Sequence, residues 1–213
     1  MTSNPEPLSH PQGLAHDQAL AASLPAQAQP AIWLRSTGIV LLGSALAAVC
    51  AHVSVPLFFT PVPLSLAPLA VLLLGLILTP RLAAATFVSY LAEGAMGLPV
   101  FAPSPLSGLA HLFGPTGGYL LAYPLAAMLI SYAYRRTQRR FVASAFTAAA
   151  LITTAGSFVI LASGALWLAA LTHASLQSVF TLAVLPFLPG DALKIAAAAA
   201  LGTGFIRLRR KMR

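Results

Sequence analysis

Charge is what this sequence has least of. Of its 213 residues 8% are charged, and only four are acidic: Glu6, Asp17, Glu93 and Asp191. An average soluble domain is about 25% charged. A chain so poor in charge and 58% hydrophobic would expose apolar surface and aggregate in water, so the composition excludes an ordinary soluble domain and indicates an integral membrane protein. Cysteine is nearly absent: Cys50, in an apolar run, is the only one, which excludes a disulfide framework. Strand-type alternation of apolar and polar residues is missing too. Lipid admits only helices or closed barrels as spanning elements, so the spans are helices.

Motif absences narrow the function further. No G-x-x-x-x-G-K-[ST] occurs, so the chain carries no P-loop with which to hydrolyse a nucleotide. No G-x-S-G-like elbow is present for serine chemistry in the membrane. The string "LPGD" at 188–191 offers a single aspartate, where an intramembrane aspartyl protease needs two. His52 and His111 have no nearby Cys or Asp partner in sequence and make a poor metal site; they read as polar lining. No metal or cofactor is expected, and the chain is not expected to be an enzyme.

What the sequence does contain is organised by its apolar runs. Residues 1–30 are rich in Pro, Ala, Gln, Ser and His and read as a disordered N-terminal extension; they lack the basic n-region of a signal peptide. Six apolar stretches come next, at about 36–55, 64–79, 82–97, 119–134, 142–171 and 190–206. The membrane domain is placed at 31–207, with a basic tail at 208–213. Between stretches lie a proline-punctuated loop at 56–65, a Gly/Pro-rich loop at 97–118 and an apolar loop at 172–188. The basic runs "RRTQRR" (135–140) and "RLRRKMR" (207–213) come after the fourth and sixth stretches. The positive-inside rule puts both on the cytoplasmic side, and an even number of spans then places both termini there. Of twelve Lys/Arg residues, Lys194 alone falls outside the cytoplasmic face.

Lys194 has company. Asp191 lies three residues before it, just after Pro189-Gly190. Proline disfavours helix at the preceding residue and glycine permits a sharp turn, so Asp191 is expected to be the N-cap of the last helix. From Asp191 to Arg207 is 17 residues, roughly 26 Å of helix against a hydrocarbon thickness of about 30 Å. The pair therefore sits slightly below the outer surface, at pocket depth. An ionisable residue there marks a functional site by default, and a lysine at a helix N-terminus suits a carboxylate. The simpler alternative is a cap with a snorkelling lysine. Glu93, near the outer end of the third stretch, is a weaker candidate.

Two further features stand out. The 97–118 loop is long for a helix connection, and such loops are usually functional. Its Pro115-Thr116-Gly117-Gly118 turn offers backbone groups and a hydroxyl, and Phe101, Phe113, Tyr119 and Tyr123 are available to wall an apolar ligand. In the first helix Gly43, Ala47 and Ala51 recur every four residues, as do Ala196, Ala200 and Gly204 in the last. Small residues at that spacing let helices approach closely, either within the chain or against another membrane subunit.

The strings "YLAEGAMGLPVFA" (90–102), "GPTGGYLLAYPLAA" (114–127) and "LPFLPGDALKIAAAAAL" (185–201), with "VSVPLFFTPVPLSLAPLAVLLLG" (53–75) and "TPRLAAAT" (79–86) in the same order, resemble the BioY family. The resemblance covers about residues 36–207. That family is the biotin-binding S component of energy-coupling-factor (ECF) transporters. The resemblance implies an all-α integral membrane fold, a six-transmembrane-helix bundle with a substrate pocket opening outward. It implies biotin as ligand, with a T component, two ATPase subunits or domains and the lipid bilayer as partners, and no nucleic acid. It implies a bacterial cytoplasmic (inner) membrane location. Asp191 and Lys194 match the family's P-G-D-x-x-K motif of ligand contacts, and Ala47 and Ala51 match its Ala-x-x-x-Ala docking surface on the first helix. Thr116, Gly117, Tyr119, Phe101 and Glu93 complete the candidate ligand residues, and Gly43 the docking stripe. The chain departs from the family pattern at Ser65-Leu66-Ala67-Pro68, where a glutamine is expected, and at Pro103–Gly108, usually Gly-rich. A proton-coupled carrier of a small carboxylate, using Asp191 or Glu93 as relay, is the alternative, and a membrane enzyme a more distant one.

Overall fold

The computed structural model of the chain describes residues 28–140 and 145–212. The extension expected over 1–30 lies outside the described residues up to residue 27; 28–30 open the first helix. The elements are α1 (Ala28–His52), a short hairpin of β1 (Ser54–Val55) and β2 (Leu64–Ser65), α2 (Ala67–Ile77), α3 (Pro80–Ala95), a helical turn α4 (Leu109–Leu112), α5 (Gly117–Arg140), α6 (Ala145–Thr172), α7 (Leu176–Ala183), a 3-10 turn (Leu185–Phe187) and α8 (Leu188–Lys211). Each apolar stretch thus carries a helix. Among the described residues, three segments are long and apolar enough to cross a membrane: Trp33–His52, Ala145–Thr172 and Gln177–Arg209. The chain divides into two compact units between Gly38 and Ile39, and the helical bundle is the unit from Ile39 onward.

Local chemistry sets the helix starts. Thr79 caps α3 by accepting from the Leu82 amide at 3.4 Å, and Pro80 occupies the first turn, where its missing N–H costs nothing. Ser65 accepts from the Ala67 amide at 3.1 Å and donates to the Ala51 carbonyl at 3.3 Å, so one hydroxyl starts α2 and ties it to α1. At the far end of α2, Ser131 of α5 donates to the Leu78 carbonyl at 2.6 Å. The hairpin pairs Ser54 with Ser65 and Val55 with Leu64. It closes the proline-rich loop that the sequence leaves irregular.

α2 is apolar all round and buries most of its length, from Ala67 to Leu76, as expected of a helix enclosed by others. Leu72 and Leu76 meet Ile130 and Tyr134 of α5, Ala148 and Ala149 of α6, and Ala198 and Ala199 of α8 in one core cluster. The alanine run of α8 is what lets it approach this closely. α5 and α6 run antiparallel. A Cβ on Gly164 would strike the Tyr119 ring at 2.3 Å, and one on Gly156 would meet Ile130 at 2.3 Å, so rising positions on α5 oppose falling ones on α6.

Three expectations are corrected. Residues 176–183 are helical, and Ser175 caps this α7 by accepting from the Ser178 amide at 3.3 Å; the segment is too short and too apolar to stand out from a loop. Asp191 is not an N-cap: α8 begins at Leu188, with Pro189 in its first turn, because proline is tolerated where the amide would be unpaired in any case. The Gly43–Ala47–Ala51 stripe is turned inward. Ala47 and Ala51 are buried, and a Cβ on Gly43 would lie 2.7 Å from Thr86. The stripe seats α1 on its own bundle. Ala196 and Ala200 of α8 are exposed.

Candidate functional site

The buried face of α8 carries Asp191, Lys194, Ala198 and Gly202, spaced three, four and four apart as one side of a helix requires. The two charged residues therefore point into the bundle. Asp191 is 6% exposed and Lys194 5%, which rules out a lysine reaching for the interface. Lys194 Nζ donates to Asp191 Oδ1 at 3.1 Å, and Ser157 of α6 donates to Asp191 Oδ2 at 2.7 Å. Both carboxylate oxygens are thus engaged, while Lys194 uses one of its three N–H donors on Asp191.

The pair lines an open cavity, about 590 Å³ with the adjoining solvent space included. Its walls come from every layer of the fold: Ala51 of α1, Val62, Pro63 and Ser65 around the hairpin, Tyr90 of α3, Ala102 and His111 of the long loop, Thr116, Tyr119 and Tyr123 at the start of α5, Ile160 and Leu161 of α6, and Phe187 before α8. Apolar walls with a few convergent polar groups are the make-up of a small-molecule site. Tyr119 donates to the Ala183 carbonyl at 2.7 Å, locking its ring against α7. Tyr90 packs edge-on against Phe87 and Phe101, with centroids at 6.4 and 5.3 Å. Its hydroxyl is buried and has no hydrogen-bond partner among the described residues. A buried hydroxyl without a partner costs roughly 1–3 kcal/mol, and a polar ligand atom would supply the missing bond.

The sequence candidates divide. Asp191, Lys194, Thr116 and Tyr119 share the cavity wall. Phe101 stands behind it, 4.9 Å from the His111 ring and against Gly94. Gly117 packs beneath the Leu112 carbonyl, where a Cβ would lie at 1.9 Å; it shapes the turn and is not part of the wall. Glu93 lies away from the cavity: it accepts from Ser44 of α1, and from Ser89 at 2.8 Å, so it joins α1 to α3. His52 bonds the Ala48 carbonyl at 2.8 Å, and no three His, Cys, Asp or Glu side chains gather among the described residues. Two residues of the site escape the sequence reasoning, Ser157 and Tyr90. Tyr90 opens the "YLAEGAMGLPVFA" string, which is the available signal.

A second hollow adjoins the first. Pro56, Leu57, Thr60 and Pro61 of the hairpin loop face Pro103, Ser104, Pro105 and Leu106 across it, and Pro63, Ala102, His111 and Thr116 line both spaces. The two proline-rich loops therefore enclose a space that borders the cavity.

Comparison with known proteins places this arrangement. The BioY family model matches residues 20–211. The chain is 36% identical to the probable biotin transporter BioY of Pyrococcus horikoshii over 78% of its own length and 93% of the relative's. It is 32% identical to the biotin transporter BioY2 of Lactococcus lactis over 82% and 91%. Its fold is similar to the crystal structure of the S-component for biotin from an ECF-type ABC transporter, with a TM-score of 0.74, 22% identity, and coverage of 88% of this chain and 95% of that one.

Proposed function

The chain belongs to the BioY family, and from that premise we propose that it captures biotin from outside the cell as the membrane-embedded S component of an ECF-type transporter. The observation that carries the reading is the buried Asp191–Lys194 pair on the wall of an apolar cavity. Biotin brings a carboxylate, a planar ureido group and an apolar thioether ring, which asks for few polar groups and much apolar wall. Lys194 pairs with the ligand carboxylate, and Asp191 orients Lys194 or accepts a ureido N–H. Tyr90, Thr116 and Tyr119 lie where they contact the ligand, and the 97–118 loop closes over the ring. The six longer helical stretches span the bilayer of a bacterial inner membrane with both termini inside. The family performs no chemistry on its ligand, and the residues of this cavity need perform none.

The purified chain is expected to bind radiolabelled biotin saturably, with unlabelled biotin displacing it and a simple short-chain carboxylate failing to. Equal displacement by the short carboxylate would overturn the assignment of biotin.

Transport also needs energy from outside the chain, and we propose that a T component with its ATPase pair docks on α1. With Gly43, Ala47 and Ala51 facing inward, the surface open to a partner is the opposite one, where Leu42, Ala45, Leu46 and Val49 are exposed. Ala45→Trp is expected to abolish co-purification with the T component while changing biotin affinity less than about twofold, within the range of a surface change remote from the ligand. Persistence of the complex would remove α1 as the docking helix.

A further inference from the structure

Away from the cavity, α5 and α6 leave an open groove between them, about 500 Å³ with the adjoining solvent space included, lined by Leu129, Tyr132 and Ala133 on one side and Ile152, Ala155 and Val159 on the other. Its floor is Ile130 against Gly156, drawn together because Gly156 has no side chain to hold them apart. None of these residues but Tyr132 bears a polar side-chain atom. At the end nearest Ala133 the chemistry changes abruptly. Arg135 and Arg136 are exposed, and Arg139 and Arg140 come next within the same helix. Arg136 lies on the stripe of Leu129 and Tyr132, and its guanidinium donates to the Tyr132 hydroxyl at 3.1 Å. That bond holds the guanidinium against a residue of the groove wall.

We propose that this groove is a binding site for one anionic phospholipid, with an acyl chain along the α5–α6 groove and the phosphate on Arg135 and Arg136. Charge complementarity selects the occupant. An apolar trough that ends in arginines, with no acid within it, matches an amphiphile that is apolar for most of its length and negative at one end. Arginine suits phosphate because its donors form a planar fork. Basic groups near a lipid surface each favour anionic lipid, so two arginines at one groove end give selectivity of about tenfold or more. The site is independent of the biotin reading and needs only that the bundle lie in a bilayer.

The test is native mass spectrometry of the full chain released from detergent, with phosphatidylglycerol or phosphatidylcholine of identical acyl chains added in turn. The wild type is expected to retain one phosphatidylglycerol at least about tenfold better than phosphatidylcholine. Arg135→Gln with Arg136→Gln should erase that preference. Ala155→Phe, an exposed position whose ring would fill the trough, should lower retention of both lipids. Equal retention of the two lipids by the wild type would overturn the proposal, as would a preference that survives the glutamine pair or retention unaffected by Ala155→Phe. Appearance of a dimer that excludes lipid would assign the groove to a second copy and overturn it equally.

Discussion

Lys194→Met is expected to weaken biotin binding by about 2–5 kcal/mol, or roughly thirty-fold to several-thousand-fold. Two effects combine in that figure. The ligand carboxylate loses its cation, and Asp191 is left buried, 6% exposed, with the Ser157 hydroxyl as its one remaining side-chain donor among the described residues. Breaking a buried ion pair from one side destabilises a fold by about 3–5 kcal/mol, so the single variant also melts earlier. The two effects separate in a double variant. Asp191→Asn with Lys194→Met removes both charges while the amide oxygen still accepts from Ser157. Its thermal midpoint should return close to that of the wild type, and its affinity should not. Tyr90→Phe provides the converse control. The hydroxyl it removes has no hydrogen-bond partner among the described residues, so stability is kept or improved, whereas affinity falls about tenfold if that hydroxyl meets a ureido oxygen. Titration calorimetry and thermal scanning on the same preparations read both quantities. A double variant that binds biotin within a few-fold of the wild type would take the pair out of the binding site.

Asp191 and Lys194 are legible in sequence for a physical reason: in a lipid-compatible chain an ionised side chain is costly, so each one off the basic face stands out and demands a partner. Ser157 and Tyr90 carry no such signal. A serine or tyrosine in an apolar helix satisfies itself in many ways, and only the packing shows that one holds Asp191 and the other holds nothing. The direction of the α1 stripe is illegible for a related reason. In water a helix tells its inside from its outside by polarity. In α1 both faces are apolar, Leu42 and Val49 outward and Ala47 inward, so small residues every four positions fit a close internal contact and a docking face equally well. The alanines of α8 show the ambiguity within one run: Ala198 and Ala199 are buried and Ala196 and Ala200 are exposed. The start of α8, by contrast, turns on a single residue. In sequence Pro189 suggests a break, yet at the first turn it is compatible with helix, and that moves Asp191 from cap to inward-facing side chain.

The second large effect is expected at the glycine turn that starts α5. A Cβ on Gly118 would lie 2.2 Å from the Trp167 Cβ and 2.7 Å from the Ser163 carbonyl oxygen. Both belong to the backbone of α6 or are attached directly to it, so neither can rotate away. On Gly117 the obstacle is the Leu112 carbonyl at 1.9 Å, again main chain. Either alanine must push α5 off α6 or displace the loop. The bonds from Trp167 to the Gly114 carbonyl and from Ser163 to the Gly118 carbonyl, both 2.9 Å, would be strained together. Thr116 and Tyr119 flank these glycines and line the cavity, so the same displacement reaches the ligand wall and the Tyr119 bond to Ala183. Overpacking of this kind costs about 1–3 kcal/mol where neighbours can adjust and more where they cannot. Gly118→Ala is therefore expected to lower the thermal midpoint and to weaken biotin binding at least about tenfold. Gly204→Ala is the matched control: nothing lies within 4 Å of its Cβ position, and inside a helix the change should stabilise by roughly 0.5–1 kcal/mol. The contrast makes the prediction one of geometry and not of glycine content. If Gly118→Ala melts and binds as the wild type does, the close seating of α5 on α6 is not what places Thr116 and Tyr119 at the cavity.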